Sequence, residues 1–453
     1  METEAKGRGK FSGRVGFVLT AAGSAVGLGN IWRFPYLAAK YGGGIFLLVY
    51  ILLALTFGFS LMVAEIAIGR RTGQSSIGAY ASLDRRFSFL GYISTLLPIL
   101  ILPYYSVIGG WVIKYAVGYL LGDGETIAEA GYYQSYISSV REPIIWFSVF
   151  AVLTAFVVLF GVKGGIEKLC KIMMPALVVL MVFLAIFNIV SVEGSLNGVV
   201  YYLKPDFSRL SVMTFVAATG QLFYSMSIAM GTMITFGSYM KKDISIEKCV
   251  HQIEIFDTGI AFLSGLMIIS AVFAFSGGAD VGFGPGLMFE TLPRLFLTLP
   301  AGGFIGAVFF VMVLFAALTS SVTMMETIVS VLTDKLSLDR RYAVLIILIG
   351  ILLLGLPSAL GYSIWSDVRV LGHGILDFVD FFSNNLIMPT VAVISAIFVG
   401  YIIKPDVIIE EVKLGGEFRA ERMFYTVTKY VAPVMLFGIL LASVLNVFGV
   451  ITI

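Results

Sequence analysis

The sequence predicts an all-α, polytopic membrane protein, and three observations carry that reading. Of its 453 residues, 58% are hydrophobic and 13% charged, with a mean hydropathy of +0.97. A soluble domain carries about 25% charged residues and about 45–50% apolar ones. The apolar residues are gathered into eleven runs, each near the roughly 20 residues a helix needs to cross a bilayer. The Lys and Arg residues alternate in density between successive loops, as they do when one side of a membrane retains them. At about 150 residues per domain the length would suggest three domains, but runs this long leave no room for separate water-soluble cores. The hydrophobicity excludes disorder, and the lack of period-two alternation in segments of about 10 residues argues against a barrel. With 30 Lys+Arg against 28 Asp+Glu the net charge is +2, so a nucleic-acid partner has no electrostatic basis. The bilayer is the expected surrounding, and no obligate protein partner is evident.

The spans are expected at residues 14–38, 45–69, 93–121, 143–161, 166–192, 211–239, 250–276, 301–333, 342–361, 374–402 and 426–450. The first 13 residues are charged and hold no apolar stretch of the kind a cleaved signal requires. The N-terminus is therefore expected in the cytoplasm. That orientation puts 22 of the 30 Lys and Arg residues on the cytoplasmic side, among them Arg70, Arg71, Arg85, Arg86, Arg340 and Arg341. Six fall outside, and Arg33 and Lys114 lie within spans. Eleven spans then leave Gly449–Ile453 outside. Cys170 and Cys249 fall near cytoplasmic span ends, where a disulfide is not expected, and neither has metal-ligand spacing.

One segment, 285–299, is apolar on one face and too short to cross. Pro293 interrupts it, and Glu290 and Arg294 stand at i,i+4, where they can pair. It is expected as a broken amphipathic helix over the outer face, either a lid or an ordinary interfacial loop.

Two spans break the rules of a membrane helix. Span 1 carries Gly23, Gly27 and Gly29 within seven residues, then Asn30 and Arg33. Each glycine costs about 1 kcal/mol against alanine in a helix. Unwound backbone at membrane depth is tolerable only where it lines a cavity. Span 6 repeats the feature, with Ser225, Ser227, Ala229, Met230 and Gly231 in its middle. Interrupted helices at matching places in two halves are the best sequence pointer to a secondary transporter built from inverted repeats. Span 8 adds Ala316, Thr319 and Ser320, neutral oxygens that suit a hard monovalent cation better than a transition metal. The histidines, His251 and His373, are too few and too far apart for a metal site. Carboxylates inside the membrane are costly and functional by default, which makes Glu254 and Asp257 in span 7, and Asp377 and Asp380 in span 10, candidates.

Taken together, these residues resemble the neurotransmitter:sodium symporter family, particularly its bacterial amino-acid transporters. The resemblance rests on AAGSAVGLGNIWRFPYLAAKYGGG in span 1, MVAEIAIGR in span 2, PYYSVIGGW in span 3, GQLFYSMSIAMG in span 6 and AALTSSVTMME in span 8. It implies one transporter domain over residues 1–453, with inverted repeats at about 14–192 and 211–402 and a peripheral span 11 at about 426–450. It also implies sodium-coupled symport of hydrophobic or aromatic L-amino acids into a prokaryotic cell, through two Na⁺ sites. The alternative is a sodium symporter for another small amino acid or an amine. An intramembrane hydrolase fails because no histidine falls in spans 1, 6 or 8, and paired gates suit alternating access better than a channel.

By the same resemblance, the first Na⁺ site maps to the Ala25 carbonyl with Asn30, Ser225, Asp257 and the substrate carboxylate. The second maps to the carbonyls of Gly23, Val26 and Ala316 with the hydroxyls of Thr319 and Ser320. The substrate carboxylate is expected at the Gly27 and Gly29 amides and the Tyr105 hydroxyl, beside Ala25, Leu28 and Ser225. The side-chain pocket maps to Ile101, Tyr224, Met230 and Met324, with Ser227 and Ser320 alongside. Gly27 stands where amine-transporting members carry an aspartate, which favours a substrate bringing its own carboxylate. Arg33 and Asp380 are expected to close the outer path above Tyr105 and Tyr224. Arg8 with Asp334, and Phe11 near Ser238 and Tyr239, resemble the inner latch. Gly165 and Pro175 match either a site of inner unwinding in span 5 or a plain proline kink. Chloride-independent members place a carboxylate one turn beyond the position of Asp257. Ala261 stands there in this chain, and Asp257, at a position that is commonly asparagine, is expected to supply the charge instead.

Overall fold

The computed structural model describes residues 9–276 and 286–447, and among these the regular structure is helical. Among the described residues, nine helices are long and apolar enough to cross a membrane: Gly44–Thr72, Arg85–Leu121, Arg141–Leu159, Val162–Ser191, Ile246–Phe275, Gly302–Leu336, Arg340–Leu360, Ile375–Ile402 and Glu421–Ala442. They correspond to spans 2 to 5 and 7 to 11. Span 1 is the pair Arg14–Ala25 and Gly29–Lys40, bent by 56° at its break. Span 6 is Val212–Ser225 and Thr232–Ser238, with residues 226–231 unwound between them. Each set of five spans therefore opens on a broken helix.

The break in span 1 follows from its composition, and both of its halves pack against span 7. The first half packs against spans 5, 7 and 8, while span 8 packs along span 3. The second half of span 6 lies against span 2. Burial ranks the spans accordingly. The apolar window of span 3 is 83% buried, whereas those of spans 5 and 11 are each 33% buried. The inner spans surround the two breaks, and the outer ones present Leu, Ile, Val and Phe side chains to the bilayer. Pro98 and Pro103 sit inside span 3, and Pro103 immediately precedes the Tyr104–Tyr105 pair. A proline there removes an intrahelical hydrogen bond, which leaves the helix locally adaptable beside the site.

Shorter helices fill the connections: Ser76–Leu83, Gly124–Ile127, Tyr132–Ser138, Ser195–Leu203 and Pro405–Lys413. The amphipathic segment is helical over 287–298 and buries Leu287, Phe289, Leu292, Leu295 and Phe296. Its expected break at Pro293 is absent. A wide turn over Leu287–Thr291 runs directly into Leu292–Thr298; Pro293 has no N–H for the Phe289 carbonyl four residues back, and that carbonyl accepts from the Tyr115 hydroxyl at 2.9 Å. Arg294 pairs with Glu290 at 2.7 Å on the exposed face, as the spacing implies. Pro285 lies outside the described residues. Span 5 is wound through both Gly165 and Pro175, so that interval is a proline within a continuous helix and not an unwound segment. The two cysteines are free and buried.

Candidate functional site

The broken helices bring backbone groups to the middle of the bundle, where side chains from the same span and from other spans bond to them. In span 1 the Gly27 N–H donates to Asn30 Oδ1 at 3.0 Å. Gln221 Nε2 of span 6 donates to the Gly29 carbonyl at 3.0 Å. The Ser320 hydroxyl lies 3.2 Å from the Gly23 carbonyl and 3.0 Å from that of Val26. In span 6 the chain turns through left-handed residues at Ser227 (φ 52°), Ala229 (φ 69°) and Gly231 (φ 71°). The Glu65 carboxylate of span 2 accepts the Ala229 N–H at 2.7 Å. Ser227 donates to the Ser24 carbonyl at 3.0 Å, which ties the two breaks together.

A buried polar cluster sits beside the first break. Asn30 Nδ2 donates to Ser225 Oγ at 2.9 Å and to Asp257 Oδ1 at 2.8 Å. Ser225 donates to the same carboxylate oxygen, and Tyr50 donates to the other at 3.0 Å. Asn30 and Asp257 are 0% exposed. An ionised carboxylate buried this deeply is costly unless it is paired or hydrogen-bonded. Three donors offset part of that cost, and a monovalent cation would offset the rest. The second cluster is built from spans 1 and 8. Thr319 Oγ1 lies 3.1 Å from the Ala316 carbonyl, and Ser320 faces the Gly23 and Val26 carbonyls. A β-carbon at Gly23 would stand 3.2 Å from that of Thr319, so glycine allows the two helices to close on each other there. Apart from the Asn30 amide nitrogen, which donates into the first cluster, both clusters present oxygen atoms, the ligand type that hard cations take.

Between the clusters lies a small cavity. All twelve residues expected on its wall line it, and Ser24 and Asn30 join them. Ile101, Met230 and Met324 supply its apolar side, with the Tyr105 and Tyr224 rings. The backbone end differs in one respect from the expectation. The amide that meets Tyr105 Oη, at 3.4 Å, belongs to Leu28, because that of Gly27 is engaged by Asn30. Gly29 serves by size: a β-carbon there would lie 2.4 Å from the Tyr224 ring. A β-carbon at Gly27 would stand 2.8 Å from Ser320 Oγ and 3.2 Å from Tyr105 Oη, so the absence of a side chain keeps that end of the cavity open.

The expected gates are partly assembled. Arg33 does not pair directly with Asp380. Its guanidinium lies 5.0 Å from the centroid of the Tyr224 ring, while Asp380 accepts from Tyr104 and Asn384, each at 2.8 Å. Both bonds fall on the Oδ1 oxygen of the carboxylate, and the cation rests on an aromatic face. At the opposite end the Phe11 N–H donates to the Tyr239 carbonyl at 3.3 Å, and its ring meets those of Phe17, Phe236 and Tyr239 edge-on. Ser238 bonds within its own turn, to Thr235. Asp334 accepts the Ser75 N–H at 2.9 Å, and Arg8 lies outside the described residues. Of the other candidate carboxylates, Glu254 pairs with His251 at 3.2 Å, and neither it nor Asp377 reaches the cavity wall.

Sequence reasoning missed three residues. Glu65 anchors the span 6 break, and Glu326 of span 8 accepts from Tyr239 at 2.9 Å while pairing with Arg340. Glu65 and Glu326 carried the same signal as Asp257, a carboxylate inside an apolar run, and that signal applied evenly would have found them. Arg340, at a span end, looked like an ordinary flanking charge.

Comparison with known proteins agrees with this architecture. The pattern of the family described as "Sodium:neurotransmitter symporter family" matches residues 8–122 and 135–450. An uncharacterised sodium-dependent transporter of Haemophilus influenzae is 34% identical, covering 98% of this chain and 100% of its own. A second, from Bacillus subtilis, is 33% identical over 98% of each. The crystal structure of MhsT in complex with L-phenylalanine superposes with a TM-score of 0.88 at 34% identity, covering 96% of this chain and 100% of that one. The chain belongs to the sodium:neurotransmitter symporter family and is a multi-pass, sodium-coupled transporter, not an enzyme.

Proposed function

We propose that the protein carries hydrophobic and aromatic L-amino acids into the cell together with two Na⁺ ions, by alternating access. The observation that carries this reading is Gly27, whose lack of a side chain lets the Tyr105 hydroxyl and Ser320 face its backbone directly at the polar end of the cavity. A substrate carboxylate placed there takes the Tyr105 hydroxyl and the Leu28 amide as donors and adds one ligand to a Na⁺ held by Asn30, Ser225, Asp257 and the Ala25 carbonyl. The side chain then lies among Ile101, Tyr224, Met230 and Met324. Methionine is unbranched and polarizable, which favours bulky apolar and aromatic groups. The L-phenylalanine complex of the similar MhsT supports this choice of substrate class.

The second Na⁺ lies between the Gly23, Val26 and Ala316 carbonyls and the Thr319 and Ser320 hydroxyls. There it links span 1 to span 8, so its arrival and departure would bias how the two repeats, about 14–192 and 211–402, sit against each other. Arg33, Asp380, Tyr105 and Tyr224 form the outer closure. Phe11, Tyr239 and Asp334, with Arg8 and Ser238, form the inner one. The Lys/Arg distribution supports placing the N-terminus and the basic loops in the cytoplasm, with 22 such residues on that side against six on the other.

The test is uptake of labelled L-phenylalanine into proteoliposomes in competition with each of the twenty amino acids, with and without a Na⁺ gradient. We expect saturable, Na⁺-dependent uptake displaced by the apolar and aromatic set. Displacement by a monoamine instead, or uptake indifferent to Na⁺, would overturn the assignment.

A further inference from the structure

The three glycines that follow Tyr41 serve neither break. A β-carbon at Gly43 would stand 2.4 Å from the Tyr201 carbonyl oxygen, and one at Gly44 would stand 2.5 Å from the Lys204 carbonyl carbon. Glycine there lets the link between spans 1 and 2 close on the chain between spans 5 and 6, where Gly43 and Pro205 form an isolated bridge. The contact makes one side of a cleft of about 340 Å³ at that end of the bundle, walled by Tyr201, Lys204, Asp206, Phe207 and Arg209. The size falls at the lower end of the roughly 300–1,000 Å³ typical of small-molecule sites.

Two cations and one carboxylate line this cleft, and the carboxylate is committed. Asp206 Oδ1 accepts from the Ser208 N–H at 3.0 Å and its hydroxyl at 2.6 Å, while Oδ2 pairs with Arg209 Nε at 3.3 Å. Arg209 Nη1 donates to the Tyr201 hydroxyl at 3.3 Å, and that hydroxyl donates to the Ala39 carbonyl at 2.7 Å. Arg209 Nη2 and the exposed Lys204 ammonium are left without a partner among the described residues. The unspent groups are donors on a net positive wall, which suits an anion. The surroundings say which kind. Helix Ser195–Leu203 buries Ser195, Gly198 and Tyr202, and a β-carbon at Gly198 would stand 2.6 Å from Ser270 Cα of span 7. Its other face exposes Leu196, Val200 and Leu203, and Phe207, four residues beyond, is 68% exposed. An apolar face of this kind lies at the boundary between acyl chains and headgroups, which puts Lys204 and Arg209 at headgroup depth. A dissolved anion gains nothing from that apolar rim, whereas a phospholipid lays its acyl chains on it with its phosphate in the cleft.

We propose that the cleft binds the headgroup of one anionic phospholipid. Its phosphate takes charge-assisted hydrogen bonds from Lys204 and Arg209 Nη2, and its acyl chains run along Leu196, Val200 and Leu203. A zwitterionic headgroup brings a cation of its own, for which Asp206 has no oxygen to spare. The experiment is native mass spectrometry of the full chain, in detergent micelles doped with equal amounts of phosphatidylglycerol and phosphatidylcholine of distinct mass. One phosphatidylglycerol is expected to stay bound in preference to phosphatidylcholine. Lys204→Gln should lower that retention about fivefold, the effect of one cation beside an anionic headgroup, and Lys204→Arg should restore it. Lys241→Gln, which removes an exposed charge from the opposite end of span 6, should leave it unchanged. Equal retention of the two lipids, or undiminished retention in Lys204→Gln, would overturn the proposal. An equal fall in Lys241→Gln would do the same by reducing the effect to net charge. Displacement of the lipid by millimolar inorganic phosphate would make the free ion the occupant and overturn the lipid assignment.

Discussion

The breaks in spans 1 and 6 solve the same problem in different ways. Span 1 unwinds where glycines make helix expensive, it does so without a left-handed residue, and its own Asn30 takes the freed Gly27 amide. Span 6 unwinds through Ser227 and Ala229, two non-glycine residues in the left-handed region; Glu65, on a different helix, holds the Ala229 amide, and Ser24 of span 1 holds the Ser227 hydroxyl. A left-handed conformation costs roughly 1–2 kcal/mol for a residue with a β-carbon. The first break is thus encoded locally, and the second is imposed by tertiary contact. The difference predicts that span 1 is vulnerable to added atoms, whereas span 6 is vulnerable to losing a distant partner.

The largest effect is expected from Gly27→Asp. The new side chain enters the space beside Ser320 and Tyr105, where the substrate carboxylate is placed. Two unit charges about 4 Å apart repel by about 4 kcal/mol at an effective dielectric of 20, equivalent to about 10³-fold in affinity. Equilibrium binding of L-phenylalanine to the purified variant measures it, and unchanged affinity would show that Gly27 does not face the carboxylate. Next comes Asp257→Asn. The parent should transport equally well with chloride or gluconate, because Asp257 supplies the negative charge beside Asn30 and Ser225. The variant should lose most uptake in gluconate and recover it in chloride. A parent that fails without chloride, or an active variant indifferent to the anion, would refute this.

Glu65→Ala tests the second half of the comparison. It leaves the buried Ala229 N–H unpaired, at a cost of about 1–3 kcal/mol, and should lower the melting temperature along with uptake. Glu65→Gln retains an acceptor and should restore most of the loss. Equal damage by both variants would point to the charge and not to the hydrogen bond. The smallest effect belongs to Ala229→Gly, which relieves the left-handed strain and should raise stability by at most about 1 kcal/mol. Clear destabilisation would mean that the Ala229 methyl contributes packing that outweighs its backbone strain.

Much of this was legible in the sequence. Eleven apolar runs announced the spans because membrane helices must be long and apolar. Gly23, Gly27, Gly29 and Asn30 announced the first break because nothing else explains three glycines before a buried amide. The twelve residues expected around the cavity are all on its wall. What stayed hidden depended on distance in the chain. Which carboxylate meets Ala229, and where the Gly27 amide goes, are set by how spans 1, 2 and 6 pack. The resting position of Arg33, over Tyr224 and not against Asp380, is likewise a property of the assembled bundle. The winding of span 5 through Pro175 and of the amphipathic helix through Pro293 shows the same limit: proline marks where a helix can break, and its neighbours decide whether it does.

The claim that two ion sites flank the span 1 break is tested most directly by counting. Equilibrium binding of ²²Na⁺ to purified protein saturated with L-phenylalanine would be measured in the parent and in a Thr319→Ala, Ser320→Ala variant shown to be folded. Two ions per chain in the parent and one in the variant are expected, the remaining ion being held by Asn30, Ser225 and Asp257. A parent that binds one ion, or a variant that still binds two, would contradict the account.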